Sequence, residues 1–172
     1  MRTKFLLFSF LFVFLTSWSQ SSDTLKKVRN YFQNIEDEND IEVLTSIKLD
    51  TNDPDSSTVL AYQGAGTCMM AEYVSSPAKK LKYFNQGKKT IQTNIEEEKT
   101  VEKVYVRLMI QLNIPKFLNY HKEIDGDIKF LEESFTEADI DLAYKRTMIN
   151  NLLSIVDETE MKESLKAIPL TD

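Results

Sequence analysis

The chain has 172 residues, of which 28% are charged, and a formal net charge of −6. An acidic chain in which no run of Lys or Arg forms a basic stripe repels phosphate backbones, so the sequence predicts no nucleic-acid binding. Cys68 is the only cysteine, which excludes an internal disulfide. Four glycines and four prolines leave little material for hairpin turns, so the composition favours a helical domain.

The first nineteen residues have the pattern of a signal peptide. Arg2 and Lys4 form a basic start, residues 5–15 are apolar apart from Ser9, and small residues precede the expected cleavage point. A helix over residues 5–15 would span about 16 Å, which is short of the ~30 Å of a hydrocarbon core. The pattern therefore predicts a cleaved export signal and not a retained membrane anchor.

Cleavage is expected between Ser19 and Gln20, and it would release the protein to the periplasm or to the exterior. No cysteine stands near this point, so we expect no lipid anchor, and no stable membrane span would remain. The remaining chain is long enough for one domain with its own core. In this interpretation the signal peptide spans residues 1–19 and a single helical domain spans residues 20–172.

The first half of this domain carries apolar residues at helical spacing. Ser22 has the position of an N-cap, and Ser76-Pro77 is a strong helix start because proline suits the first helical position. The Asp and Asn residues on both sides of Pro54, within residues 50–57, predict a loop. Four helices are predicted in this half: one after Ser22, one over residues 41–49, one from Thr58 to Val74 and one from Pro77 to about Glu97.

The predicted helix from Thr58 to Val74 contains Gly64 and Gly66, each of which costs about 1 kcal/mol relative to alanine. Close approach of another helix would compensate for this cost. The small residues on one of its faces are Ala61, Gly64, Ala65 and Cys68. We expect this face to contact a neighbouring helix, with Cys68 as a small buried side chain.

The segment from Thr100 to Leu112 predicts the central helix. Its apolar residues occupy most of the circumference, so neighbours are expected on more than one side. Thr100 would cap its start, and Pro115 ends it because the residue before a proline avoids helical geometry. The polar remainder is a stripe formed by Lys103, Arg107 and Gln111. We expect this stripe to face water or a partner protein, and it is our candidate partner-binding site.

The second half predicts shorter helices. A turn is expected at Asp125-Gly126, followed by a short helix that ends near Phe135. Thr136 would open a further helix, and residues 158–168 would form a weak final one. No segment alternates between apolar and polar residues as a strand does. The predicted fold class is therefore all-α, an antiparallel array of about seven helices.

Residues 80–113 resemble a degenerate tetratricopeptide-type helical hairpin. The features are Leu81, Tyr83-Phe84, Gly87, Ile91 and Ile95, an acidic link, and then Glu102, Tyr105, Arg107 and Leu108. With the flanking segments 61–65 and 113–120, the chain also resembles small secreted proteins of Bacteroidetes-type bacteria that have no assigned activity. These resemblances imply an all-helical envelope protein, similar to a fragment of an α-solenoid, and they imply no chemistry.

His121 is the only histidine, and no nucleophile-elbow or zincin pattern surrounds it. We interpret it as a surface or partly buried side chain beside Tyr120. A zinc site would have to rely on carboxylates, because the chain has only one histidine and one cysteine. We therefore expect no zinc, and we expect no cofactor.

Calcium is the remaining metal alternative. Counting from His121 places Gly126 at the sixth position and Glu132 at the twelfth, as in an EF-hand loop. The first position is histidine where that loop has aspartate, which removes a central ligand. The other interpretation of residues 123–132 is a turn followed by a helix with acidic residues in its first turn.

Two functional hypotheses follow. The first is a periplasmic or secreted helical adaptor, without catalytic chemistry, that binds another envelope protein or a peptide. The second is an enzyme or small-ligand binder that uses a Tyr/Met-lined interior near His121. The sequence contains no catalytic motif, and this favours the adaptor.

Overall fold

The computed structural model describes residues 21–170, and the predicted signal peptide lies outside these residues. Within them the chain forms eight α-helices, one short 3-10 helix and no strand, which confirms the all-α prediction with one helix more than expected. The helices are α1 (Asp23–Gln33), α2 (Glu38–Ser46), α3 (Ser56–Met69), α4 (Pro77–Glu97), α5 (Val101–Asn113), α6 (Ile124–Ser134), α7 (Leu142–Ile155) and α8 (Thr159–Ala167). The 3-10 helix spans Lys116–Leu118. In this part of the chain, no helix is long and apolar enough to cross a membrane.

The predicted helix starts at Ser22, Pro77 and Thr100 are confirmed. The hydroxyls of Ser22 and Thr100 each accept a hydrogen bond from the backbone amide three residues later, at 3.2 and 3.3 Å. Each cap satisfies one of the amides that the first turn of a helix leaves free. α4 continues without interruption through Gly87, as the constant phase of its apolar residues predicted.

Three predicted boundaries are wrong. α3 ends at Met69 instead of Val74, because a series of tight backbone turns reverses the chain there. The turn expected at Asp125-Gly126 lies inside α6. The helix expected from Thr136 begins only with α7, where the carboxylate of Asp141 caps it by accepting a hydrogen bond from the amide three residues later (2.8 Å).

α5 lies at the centre of the domain, as predicted. Every residue from Val101 to Leu108 is buried, and α5 contacts α3, α4, α6 and α7. All sides of this helix therefore face other helices, which agrees with its wide apolar circumference. A single hydrophobic cluster extends from Leu25 in α1 to Ile168 after α8 and includes the apolar residues of α5.

α3 and α4 form the most extensive helix–helix contact, and the predicted close approach at the small-residue face is confirmed. The helices cross where Gly64 meets Gly87, so that a Cβ atom on Gly87 would collide with the backbone of α3. The Cys68 thiol is buried at this crossing, 3.5 Å from the carbonyl oxygen of Phe84. Burial raises the pKa of Cys68 to about 12, so the thiol is protonated and poorly reactive at neutral pH.

Candidate functional site

The structure contradicts the expected exposure of Lys103, Arg107 and Gln111. Lys103 and Gln111 have no exposed surface, and Arg107 is 3% exposed. The three side chains do share one side of α5, but that side is covered by α4 and by the segment that contains α6. The prediction that this stripe faces water or a partner is therefore wrong.

Arg107 forms a buried ion pair with Asp127 of α6. Its Nε and Nη2 atoms donate to the two carboxylate oxygens at 2.7 and 2.6 Å, a bidentate geometry that favours a strong interaction. Its Nη1 atom donates to Oε1 of Gln92 in α4 at 3.0 Å. The ammonium group of Lys99 lies 3.1 Å from the same carboxylate. Arg107 thus joins the central helix to α4 and α6.

Lys103 interacts with the carboxyl end of α4. Its ammonium group donates to the backbone carbonyls of Asn94 and Glu98 at 3.2 and 3.0 Å. The carbonyls at the end of a helix carry partial negative charge, so an ammonium group close to them is favourable. Gln111 donates to Glu123 at 3.4 Å. The three side chains of the stripe therefore hold neighbouring segments of the fold together.

A second buried ion pair joins Arg29 of α1 to Glu102 of α5. Nε and Nη2 of Arg29 donate to the carboxylate at 2.7 and 2.6 Å. The Tyr62 hydroxyl donates to the same carboxylate at 2.8 Å, and it lies 2.6 Å from the Tyr144 hydroxyl. This pair was not predicted from the sequence. Glu102, an acidic residue of α5 outside the polar stripe, is the signal that could have found it, because a buried carboxylate requires a charged partner.

Two amide side chains extend this polar cluster. Gln33 donates from Nε2 to the hydroxyls of Tyr105 and Tyr144 at 3.1 and 3.3 Å. Asn151 of α7 donates to the Tyr105 hydroxyl at 2.9 Å. Side chains of α1, α3, α5 and α7 thus meet in one hydrogen-bonded network. A network whose members are satisfied fixes the relative positions of the helices that contribute to it.

Burial and the Glu102 carboxylate together set the ionisation of the cluster. Burial raises the pKa of Tyr105 and Tyr144, and burial together with the Glu102 carboxylate raises the pKa of Tyr62 well above its usual value. Burial opposes the charge of Arg29, but the hydrogen bonds and the charge of Glu102 outweigh this effect and its pKa is raised. At neutral pH the cluster therefore holds protonated phenols and a closed ion pair, which suits a structural role.

We expect alkaline pH to destabilise the fold through these tyrosines. A raised pKa in the folded state means that the unfolded chain loses its phenol protons at a lower pH than the folded chain does. The tyrosines therefore leave the free energy of unfolding unchanged below about pH 10 and lower it as the pH rises further. Tyr62, Tyr105 and Tyr144 would each contribute a slope approaching about 1.4 kcal/mol per pH unit. Urea unfolding between pH 9 and 11.5 measures the slope. A smaller slope in Tyr62→Phe is expected, and a flat stability profile would contradict the assignment.

Among the surface clefts that the described residues form, two have a similar volume. The first, of about 560 Å³, lies between the α5–α6 and α7–α8 links. Its apolar lining consists of Leu112, Ile114, Ile124, Ile155, Val156 and Met161, and its charged lining consists of Lys116, Lys122, Asp125, Asp157 and Glu158. The second, of about 570 Å³, is lined by six acidic residues among apolar and hydroxyl side chains, and its cations Arg29 and Lys99 are paired with Glu102 and Asp127. The first cleft is the better candidate site, because its lysines, unlike the cations of the second cleft, form no ion pair within residues 21–170.

No protein-family model, curated protein or solved structure matches this chain. A functional site must therefore be assigned from the chemistry of its own residues.

His121 lines the first cleft together with Met161. Its Nε2 atom lies 3.2 Å from the carbonyl oxygen of Ile114. A carbonyl oxygen only accepts hydrogen bonds, so in this contact Nε2 carries the proton and Nδ1 is the acceptor nitrogen of the neutral ring. No tyrosine lines this cleft, and the adjacent Tyr120 is buried. The predicted Tyr/Met-lined interior near His121 is therefore a cleft lined by aliphatic, methionine and charged side chains.

The calcium-loop alternative is wrong. An EF-hand requires an open loop whose carboxylates converge on the ion, whereas residues 124–134 form α6 and Gly126 has no positive φ. Asp127 is directed to Arg107 instead of to a shared cation position. Within residues 21–170, no group of three or more His, Cys, Asp or Glu side chains is placed to hold a metal. Asp125 and Asp127 instead lie in the first turn of α6, so the other interpretation of this segment is right about the acidic helix start and wrong about the turn at Asp125-Gly126.

Proposed function

We propose that this protein is an exported helical adaptor that binds a segment of another envelope protein in the first cleft, without catalysing a reaction. The observation that carries the proposal is the combination of this cleft with an unusually exposed aromatic residue beside it. Phe117 is 83% exposed, and it lies between the cleft-lining residues Lys116 and Asn119. Aromatic side chains are enriched in protein–protein interfaces and are frequent anchors of binding energy.

The backbone around Phe117 has a defined geometry that presents this side chain outward. Pro115 precedes the short 3-10 helix, and Asn119 follows it with a φ of 51°, in the left-handed region. Asparagine tolerates this region better than most residues, and such conformations persist where the surrounding structure requires them. The link between α5 and α6 therefore has a defined backbone conformation, and it keeps the Phe117 side chain exposed to solvent.

The charges around the cleft indicate the chemistry of the occupant. Lys116 and Lys122 belong to the α5–α6 link, whereas Asp157 and Glu158 belong to the α7–α8 link. These side chains form no ion pair within residues 21–170. A bound segment that carries one apolar anchor and flanking charges of both signs would match the apolar lining and both links. Such complementarity contributes mainly to specificity and to the rate of association.

The test is affinity capture of the tagged chain that begins at Gln20 from its native envelope, with three proteins compared side by side. We expect one stoichiometric partner to bind the parent protein and to be lost from Phe117→Ser/Met161→Glu. The matched control is Val43→Ser, which removes an exposed apolar side chain from α2. A partner retained by the cleft variant, or lost equally from the control, would assign binding to another surface.

A small-ligand binder or enzyme is the second candidate, and the position of His121 in the same cleft favours it. The neutral imidazole offers Nδ1 as a proton acceptor, and histidine is the side chain most often used in general acid–base chemistry. In this case His121→Gln would abolish ligand binding or turnover in a metabolite screen, whereas partner capture would persist. The tetratricopeptide-like character of residues 80–113 and the export of the chain remain predictions within this proposal.

A further inference from the structure

The start of α4 projects from the domain. Six consecutive residues, from Pro77 to Lys82, are exposed. Successive residues of a helix are turned by about 100°, so these residues sample every side of the helix. A helix that packs on a domain buries at least one side. The beginning of α4 is therefore exposed on every side, and we name residues 77–82 the spur.

Lys80 shows why the spur is uncovered. It has the same helical phase as Phe84, Gly87 and Ile91, all of which are buried. α3 covers that face along most of α4, but α3 ends at Met69, and the face loses its cover at the level of the spur. At 1.5 Å per residue the spur extends about 9 Å beyond the packed part of α4.

The spur is basic in an acidic protein. It carries Lys79, Lys80 and Lys82, and no Asp or Glu occurs between Glu72 and Glu96 in a chain of net charge −6. Within residues 21–170 these three lysines form no ion pair. A basic stripe was not expected from the sequence. Three lysines form one here because the helix holds them away from the acidic body.

The placement of these charges works against helix stability. The first turn of a helix carries partial positive charge, so anions are favoured there and lysines are not. α4 has no acidic residue in its first turn, and its N-cap Ser76 makes no side-chain capping bond. Exposed apolar side chains occur in the same region, since Leu81 is 50% and Tyr73 is 42% exposed. Residues that lower local stability in this way are expected where a function requires them.

We propose that the spur docks the protein peripherally onto a lipid bilayer with anionic headgroups. Its lysines would bind headgroup phosphates while Leu81 enters the boundary with the acyl chains and Tyr73 lies at the interface. A convex tip without a groove fits a flat bilayer better than it fits a folded protein partner, which requires shape complementarity. The spur length also keeps the acidic body about one Debye length, ~8 Å, from the surface.

Vesicle co-sedimentation tests this proposal with the chain that begins at Gln20, which contains every described helix. The vesicles contain either phosphatidylcholine alone or phosphatidylcholine with 30% phosphatidylglycerol. We expect binding only to the anionic vesicles, and a loss of affinity when salt is raised. Each lysine near an anionic surface contributes about fivefold to the binding constant, so Lys79→Gln/Lys80→Gln/Lys82→Gln should weaken binding on the order of 100-fold. Leu81→Ser should weaken it on the order of tenfold.

The matched control has the same change in net charge. Lys27→Gln/Lys48→Gln/Lys129→Gln neutralises three exposed lysines outside α4, and we expect it to bind as the parent does. The proposal is overturned if the parent does not bind anionic vesicles, or if the control loses as much affinity as the spur variant. It is also overturned if inorganic phosphate at matched ionic strength displaces the protein, or if polyglutamate binds the spur more tightly than vesicles do.

Discussion

Replacing Asp127 with alanine is expected to lower the free energy of unfolding by about 3–5 kcal/mol, because it leaves the Arg107 guanidinium buried without its carboxylate. The side chains of Asp127 and Arg107 are 1% and 4% exposed, so water cannot take over the lost contacts. The second partner of Arg107 is the neutral amide of Gln92, which satisfies one donor but does not balance the charge. Urea denaturation at neutral pH measures the effect, and the thermal midpoint should fall by roughly 10 °C.

Asp125→Ala is the matched control for this variant. Asp125 also lies in the first turn of α6, two residues away, but it is exposed. Its loss should cost only the interaction with the helix dipole, about 0.3–1 kcal/mol. Replacing both members of the pair by apolar residues, as in Arg107→Met/Asp127→Leu, should recover most of the stability lost by Asp127→Ala. Equal effects of the two alanine variants would show that the ion pair does not hold α6 to α5.

Replacing Gly87 with alanine is expected to destabilise the protein by about 3 kcal/mol, at the upper end of the range for overpacked sites. The new Cβ would lie 2.6 Å from the backbone nitrogen of Cys68 and closer still to the carbonyl oxygen of Gly64. These are backbone atoms, so no side-chain rotation relieves the overlap and α3 must move away from α4. The free energy of unfolding, measured with urea, should fall, and the Cys68 thiol should react faster with an alkylating reagent.

Gly126→Ala provides the opposite case in the same chain. Gly126 is also helical, and a Cβ there would have no neighbouring heavy atom within 4 Å. Alanine in an open helical position should stabilise the protein by about 0.5–1 kcal/mol, since it restricts the unfolded chain. The two Gly→Ala changes should therefore have opposite signs. A stabilising effect of Gly87→Ala would mean that α3 and α4 do not pack as closely as the structure indicates.

The sequence was sufficient for features that depend on neighbouring residues. The caps at Ser22 and Thr100, the start at Pro77 and the close-packed face around Gly64 follow from local hydrogen bonding, proline geometry and helical spacing. The central position of α5 followed from its apolar circumference. The start of α7 was misplaced because Thr136 and Asp141 offer competing starts, and only the packed chain selects Asp141, whose carboxylate forms the capping bond.

The candidate sites depended on contacts between residues that are distant in sequence. Helical periodicity shows that Lys103, Arg107 and Gln111 share a side of α5, but it does not show what covers that side. The Arg107–Asp127 pair spans 20 residues and the Arg29–Glu102 pair spans 73. The packing of α1 and α6 against α5 is what brings each side chain to its partner. The tertiary structure thus shows that Arg107 of the predicted interface belongs to a buried ion pair, and it adds the Arg29–Glu102 pair, which was not predicted.

The sequence by itself determined that this is a helical protein with a buried central helix and a close helix pair, because apolar spacing and helix-end chemistry are local properties. The tertiary structure alone decided which polar residues are buried and which surfaces remain open. The cleft beside Phe117 exists because two links converge, and the spur exists because α3 ends before it reaches Lys80. Exposure depends on the position of the whole neighbouring chain, and the pattern of one segment does not contain that information.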